Sequence, residues 1–398
     1  MKDATLRVEV TIVGAGLVGL SAALAFHLAG YGVLLVDAHA PTTAVDDPTG
    51  WDQRIYAISP KNAQWLMRLG AWQLMDATRI SEMQKMEIWG DDSVTPLKLS
   101  AEDVNADGLG FIVEERTLKC ALLQRLVECG IQTIFGQKCV AVSTFPALAT
   151  LQLADGTSID SDLLLAADGA QSWVRQQLHI AVEEQSYHQT AIVANFMTER
   201  SHQCIARQWF ALDADGHVSI MAWLPLSRNK VSIVWSVSTQ HAARLLKLDA
   251  SAFTQAVVAA GGEALGALNL MNTPSGFPLV LKKVSQVVMD SVILIGDAAH
   301  RVHPMAGQGV NLGFRDVIEL LNVLSTKGLY QALNDPSLLG HYMRVRKADV
   351  LGMTTLTNGL FYLFNSQSAW LKKIRNRGLW VTNHPFIRKM MVNSAISL

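Results

Sequence analysis

Two glycine-rich turns, each at the end of an apolar run and far apart in the chain, restrict this sequence more than any other feature. Val8 to Val13 leads into Gly14-Ala15-Gly16-Leu17-Val18-Gly19. Val292 to Ile295 leads into Gly296-Asp297-Ala298-Ala299-His300, followed by Pro304 and Gly307-Gln308-Gly309-Val310-Asn311. Such apolar runs read as buried strands of a parallel sheet, and the glycines after them leave backbone N–H groups bare at a helix start, where an anionic group can sit. In the first turn Gly14 allows the tight reversal, Gly16 the close approach of a pyrophosphate, and Gly19 the contact between helix and strand. Val33 to Asp37 supplies the next strand, and Asp37 is placed to accept hydrogen bonds from an adenosine ribose. Two such devices at opposite ends of one chain predict a single large dinucleotide held between them, with flavin as the leading candidate.

Composition narrows the class. The chain has 398 residues, enough for two or more domains, and a net charge of −1, which gives no basic field for nucleic acid. Cys120, Cys129, Cys139 and Cys204 show no metal-ligand spacing, so no metal is expected, and they read as reduced thiols of a cytosolic protein. The N-terminal residues lack the apolar stretch of a signal peptide, and no apolar run reaches membrane-spanning length. Yet half of the residues are hydrophobic. After Asp349 there is no acidic residue, while Lys372, Lys373, Arg375, Arg377, Arg388 and Lys389 are interleaved with Trp370, Leu371, Trp380 and Phe386. Two readings fit this tail: an amphipathic anchor on an anionic membrane surface, or packed helices with a solvated basic edge.

Along the chain, Val8–Val13, Leu17–Ala29 and Val33–Asp37 form a βαβ opening. Ser59 caps a helix that stops near Gly70, Gln84–Leu99 is strand-like, and Arg116–Cys129 is helical. Short strands follow up to Ile159–Ala166, which enters Asp168-Gly169 and Ser172-Trp-Val-Arg175, another strand-to-helix junction. Residues 186 to about 284 are β-rich, with turns at 213–216 and 227–230, and read as an inserted antiparallel sheet. Gly309–Leu324 and Ser337–Phe364 read as helices. The expected organisation is a discontinuous cofactor domain (1–80, 107–182 and 285–335), a β-rich substrate domain (81–106 and 183–284) and a basic helical region (336–398).

Taken together, the opening fingerprint, the Asp168-Gly169 junction and the Gly296-Asp297 run resemble the glutathione-reductase-like branch of flavoproteins, and within it the single-component aromatic hydroxylases. Asp52-Gln53-Arg54-Ile55-Tyr56-Ala57-Ile58-Ser59 and His303-Pro304 through Arg315-Asp316 are similar to the ubiquinone-biosynthesis hydroxylase subgroup. The resemblance implies an α/β fold: a Rossmann-type FAD-binding domain, an inserted antiparallel-sheet substrate domain and C-terminal helices. It implies bound FAD, NAD(P)H or another donor as transient reductant, and O2 as co-substrate. Oxygen would add to the reduced flavin to give a C4a-hydroperoxide that hydroxylates the ring of a polyprenylated phenol.

By the same resemblance, Gly14, Gly16, Gly19, Asp37, Arg54, Arg116, Asp168, Gly296, Asp297, Gly309, Val310 and Asn311 would hold the cofactor. Asp297 would take a ribityl hydroxyl, Arg54 and Arg116 would reach the flavin–phosphate region, and Asp168 would lie near the cofactor and the nicotinamide path, with Arg175 holding that junction. Pro304, Gly307 and Gln308 would form the flavin-edge loop, positioning rather than exchanging protons, with the following helix start stabilising charge on the reduced ring. His300 and His303 tempt a base assignment, but packing or backbone hydrogen bonding is the favoured role for each. The sequence departs from the family at Asp37, where a longer Glu is usual, and at Arg301, a bulky cation in place of a small polar residue. The implied location is the cytoplasm, peripheral to the inner face of the membrane, with other quinone-biosynthesis proteins and a second copy of the chain open as partners. The rival readings are a hydroxylase of a soluble aromatic, or a non-catalytic flavoprotein within a quinone-synthesis complex. A flavin halogenase is disfavoured because no Trp-x-Trp-x-Ile element occurs.

Overall fold

The computed structural model describes residues 5–41, 50–90, 96–213, 215–301 and 309–365. The chain opens with β1 (Thr5–Val13), α1 (Leu17–Leu28) and β2 (Val33–Asp37), and β1 and β2 run parallel, Val10–Val13 beside Val33–Val36. The second half of β1 is wholly buried, and α1 is apolar nearly all round (Leu20, Ala22, Ala23, Leu24 and Phe26 are inaccessible), as a helix laid between a sheet and other helices must be. There follow β3 (Ile55–Ile58), α2 (Pro60–Arg68), β4 (Ser81–Met83), β5 (Lys85–Trp89), β6 (Leu97–Ser100), β7 (Gly110–Glu114), α3 (Glu115–Glu128) and β8 (Gln132–Phe135). Ser59 caps α2 by accepting the Asn62 N–H. A hairpin, β9 (Cys139–Phe145) and β10 (Leu148–Leu153), then leads to β11 (Ser158–Ala166) and the short α4 (Trp173–Gln177).

The β-rich stretch comprises β12 (Val182–Thr198), β13 (Ile205–Leu212), β14 (Val218–Leu226), β15 (Lys230–Ser238), α5 (Thr239–Leu245), α6 (Ala250–Gly261), β16 (Leu268–Leu270) and β17 (Ser275–Val284). The chain then returns through β18 (Val288–Met289) and β19 (Val292–Leu294), touches the second sheet with β20 (His300–Arg301), and ends its described part in α7 (Gly309–Ser325) and α8 (Pro336–Asn365).

Three sheets result. The first runs β18-β19-β11-β1-β2-β8, with β19, β11, β1, β2 and β8 parallel. β11 shares one edge between two partners: Ser158–Ser161 pair with β10 and Leu164–Ala166 with β19. The second runs β20-β17-β12-β15-β14-β13-β5-β6, with β16 also on β12. It is antiparallel except where β13 and β5 run parallel, Ile205–Trp209 beside Lys85–Trp89. That pair joins segments far apart in sequence, so no hairpin constrains their direction. The third, β3-β7-β4, is small and antiparallel, and takes β4 out of the 81–106 stretch that otherwise feeds the second sheet. One face of the second sheet is sealed by α5 and α6, through Phe196, Trp223, Ile233, Trp235, Phe253 and Val257.

Between the second and third sheets, the 50–54 segment is gripped from both sides. Asn195 on β12 donates through Nδ2 to the Asp52 carbonyl at 2.8 Å, and Gln53 donates to the Thr273 carbonyl at 2.7 Å and accepts from Ser275 Oγ. Beneath it lies Glu114, at 0% exposure. Its carboxylate accepts from the Asp52 N–H at 2.6 Å and from Arg79 Nε and Nη2 at 2.6 and 2.8 Å. Arg79 and Arg116 each donate to the Gly50 carbonyl at 2.6 Å. Removing one member of a buried ion pair strands the other charge without solvent, which costs far more than losing a surface pair. Glu114→Gln is therefore expected to lower the unfolding free energy by about 3–5 kcal/mol. Glu128→Gln, which loses only a surface pair with Arg125, should change it by about 1 kcal/mol or less. Urea denaturation of the two variants checks this, and equal effects would contradict it.

Candidate functional site

The C-terminal ends of β1, β11 and β19 bring three turns together, the place where parallel α/β sheets take ligands. The first is built on close backbone contact. Gly14 lies at φ +106, and a Cβ there would stand 2.5 Å from the Ala167 carbonyl oxygen; a Cβ on Gly19 would stand 1.9 Å from the Gly14 oxygen. These two glycines let α1 and β11 close on the turn. Gly16 differs: a Cβ there would meet nothing within 4 Å. No side chain caps α1 at Gly16 and its first turn carries no acid, so among the described residues no cap anion meets the N–H groups of that turn. Asp37, at the end of β2, braces the turn by accepting the Ala15 N–H at 2.6 Å and the His39 N–H at 2.8 Å. Each oxygen keeps a second lone pair for a ribose hydroxyl.

The second turn follows β11. Asp168 accepts the Val174 N–H through Oδ2 at 3.0 Å, while its buried Oδ1 has no partner. Burial pushes its carboxyl up, against the pull of Ser172 and of the N–H groups at the start of α4. Arg175, 3% exposed, donates to Ala170 O at 3.0 Å and to Ala298 O at 2.9 Å, joining this turn to the third.

The third turn leaves β19 at Gly296, φ +59, and makes one 3-10 turn through Ala298. Asp297 is the one exposed residue in the run 291–300. Its carboxyl is nevertheless pushed up, by protein packed around it, against the opposing charges of Arg301, His300 and Arg54. A side chain reached by solvent yet crowded by protein faces a recess. Arg54 and Tyr56 lie close enough to Asp297 for the three groups to act on one another electrostatically. Arg54 Nη1 lies 3.3 Å from Glu115 Oε2, and the Tyr56 hydroxyl donates to that oxygen at 3.3 Å, its pKa raised by burial and by Glu115. Arg116 takes another part: its N–H donates to Asp52 Oδ2 at 3.0 Å and its guanidinium to Gly50, bracing the segment that carries Arg54.

Gly309 and Val310 begin α7, and a Cβ on Gly309 would also meet open space. Asn311 is fully buried, and its amide is engaged by the protein. Nδ2 donates to Ala57 O at 2.7 Å, and Oδ1 accepts from the Ser59 N–H at 2.9 Å and from Asn62 Nδ2 at 2.8 Å. Its contribution to a ligand would run through the main chain. Pro304, Gly307 and Gln308, with His303, lie outside the described residues. His300, buried at 7% exposure, bonds through Nε2 to a carboxylate, Asp316, at 2.8 Å. Glu114, Glu115 and Asp316 were not among the candidates; Glu115 adjoins one, Arg116, but the arginines these carboxylates meet, Arg79, Arg54 and Arg346, lie 35, 61 and 30 residues away. A groove of about 470 Å³ lined by Arg7, Glu9, His27 and Asp162 lies at the opposite ends of the strands, away from all three turns.

The residues present fit a flavin dinucleotide: an uncapped helix start with open space at Gly16, an unpartnered oxygen on Asp168, and an exposed Asp297 on a turn packed against a second glycine-led helix. Gly16→Ala should leave the apoprotein as stable as wild type while weakening FAD uptake, whereas Gly19→Ala should destabilise the apoprotein by about 1–3 kcal/mol through overpacking. Melting of apoprotein and FAD titration separate the two. Asp297→Ala should purify folded and largely colourless; a fully yellow preparation would remove Asp297 from the site.

The chain matches the FAD binding domain family over residues 7–356. It is 31% identical over 374 residues to the ubiquinone hydroxylase UbiL of Rhodospirillum rubrum, covering 93% of this chain and 85% of that protein. With the 3-demethoxyubiquinol 3-hydroxylase of Escherichia coli it shares 30% identity over 383 residues, covering 96% of each. Its fold matches that of p-nitrophenol 4-monooxygenase PnpA from Pseudomonas putida with a TM-score of 0.76 at 16% identity, over 99% of this chain and 98% of that one. The glycine turns, the strand order and these relatives agree, and the chain belongs to the FAD-binding ubiquinone-biosynthesis hydroxylases, a family of FAD-dependent aromatic monooxygenases.

Proposed function

We propose that the protein hydroxylates the aromatic ring of a polyprenylated phenol on the route to ubiquinone, as a peripheral protein of the inner face of the cytoplasmic membrane. The observation that carries this reading is Asp297, solvent-reached but crowded, at the convergence of three cofactor-type turns in a chain whose relatives are named for ubiquinone hydroxylation. Bound FAD supplies the redox chemistry and the activation of oxygen. In the overall reaction a donor such as NAD(P)H gives two electrons, one atom of O2 enters the ring in place of hydrogen, and the other leaves as water.

The chain's own residues bind and orient. The N–H groups at the start of α1 would hold the pyrophosphate, Asp37 the adenosine ribose and Asp297 a ribityl hydroxyl. Gly296 would keep its turn tight enough for that approach. The α7 start, at Gly309, Val310 and Asn311, would present its positive end to charge developing on the reduced ring, and Pro304, Gly307 and Gln308 would complete that edge. Asp168 would border the donor's approach. Arg54 and Tyr56, tied through Glu115, would close the recess against water. The substrate ring would lie between this wall and the face of the second sheet that carries Asn195, opposite α5 and α6.

The membrane part of the proposal is supported by the hydrophobic composition and by the acid-free basic stretch after Asp349, most of which lies outside the described residues. No helix among the described residues is long and apolar enough to cross a membrane. Deleting the gene should make a quinone precursor one oxygen short accumulate, detectable by mass spectrometry; unchanged quinone with no intermediate would remove the pathway assignment. The purified protein should co-sediment with anionic liposomes and lose that binding at high salt, while absence of binding would favour a soluble aromatic substrate.

A further inference from the structure

We propose that Asp316 is a positioning residue for the cofactor: one buried carboxylate on α7 that holds the Asp297-bearing turn and the start of α7 in a single frame, with Arg346 of α8 as its charge partner. This rests on the reading of Asp297 as a cofactor ligand. Asp316 is 2% exposed, and both its oxygens are engaged. Oδ2 accepts from the Gly296 N–H at 2.8 Å and from His300 Nε2 at 2.8 Å; Oδ1 lies 2.8 Å from Arg346 Nε and 2.6 Å from its Nη2. The residues gripped through Oδ2 stand on either side of Asp297. Arg175 holds Ala298 of the same turn, donating to its carbonyl at 2.9 Å.

The other side of the network reaches further. Arg346, itself 3% exposed, donates to the Leu312 carbonyl at 3.3 Å and pairs with Asp349, which lies 3.0 Å from Arg315. The second turn of α7 and the middle of α8 are thereby locked to the same carboxylate. Burial alone would raise the Asp316 carboxyl, but His300 and Arg346 outweigh it and hold it below the usual carboxylate range. An ionised acceptor requires His300 Nε2 to carry the proton it donates. Stability gives no reason for this arrangement, because apolar side chains of like volume would pack as well or better in place of a buried ion pair. They could not aim a backbone N–H and an imidazole at one point.

The test is a double-mutant cycle in FAD affinity, on full-length apoprotein titrated with FAD. Asp316→Asn should raise the Kd about 10- to 100-fold, the range for losing hydrogen bonds to a buried charge, and Asp297→Ala should raise it comparably. Because Asp316 acts largely through the Asp297-bearing turn, the double variant should be impaired by clearly less than the product of the two single losses, by about three-fold or more. Val257→Ala, on the buried face of α6, supplies a control that lowers apoprotein stability with the Kd unchanged. Losses that multiply in the double variant, or an Asp316→Asn protein with wild-type affinity, would overturn the proposal. Should Asp316→Asn fail to fold, Arg346→Lys in the same cycle decides it, with a smaller rise in Kd and the same dependence on Asp297. Failure of the wild-type chain to take up FAD, or an Asp297→Ala protein of wild-type affinity, would count against the underlying site instead, and is read before any Asp316 variant.

Discussion

The backbone contact between Gly14, Gly19 and Ala167 is the constraint on which the cofactor half of the molecule depends. Three segments meet there with nothing larger than the Ala167 methyl at the contact: the end of β1, the first turn of α1 and the end of β11. A single methyl group at either glycine would collide with a carbonyl oxygen of the next segment. Close packing of the main chain leaves α1 no latitude about where its N-terminus ends, and the helix start becomes a rigid electrostatic device. Gly296 and Gly313 repeat the theme, since both pack on Val18 of the same helix. The two distant glycine turns are thus contiguous, with α1 between them.

Around that apolar centre, the segments that carry the chemistry are held by buried carboxylates. Glu114 fastens 50–54 and Asp316 fastens 296–300. In each case a carboxylate receives one backbone N–H from the loop and one arginine from elsewhere in the fold. Such groups add little net stability over apolar ones. What they add is direction, because a hydrogen bond orients its partners and an apolar contact does not. Loops that must present Arg54 and Asp297 to a recess need orientation more than they need burial.

Much of this was readable in the residues. The β1–α1–β2 opening, the Ser59 cap, the strand before Asp297 and the α7 helix follow from apolar runs broken by glycine, which are local signals. Glu114 and Asp316 left no such trace, since their partners Arg79 and Arg346 lie 35 and 30 residues away and nothing in a carboxylate's own neighbourhood says whom it will meet. Asn311 shows a second limit. Its place in a glycine-rich run marked it as a cofactor contact, yet its side-chain amide finds matching groups on Ala57, Ser59 and Asn62 first. The parallel pairing of β13 with β5 was equally hidden, because periodicity shows that a segment is a strand and not which strand it will lie beside.

That edge pairing affects how such a molecule can be altered. The second sheet draws β5 and β6 from before the main insert and β20 from after it, so no continuous stretch of sequence contains it. A chimaera that transplanted residues 183–284 from a relative would import β12 to β17 but leave them to find host strands at both borders. Exchange of the whole sheet between members of such a fold means moving three separate stretches, with two junctions each to be chosen in register.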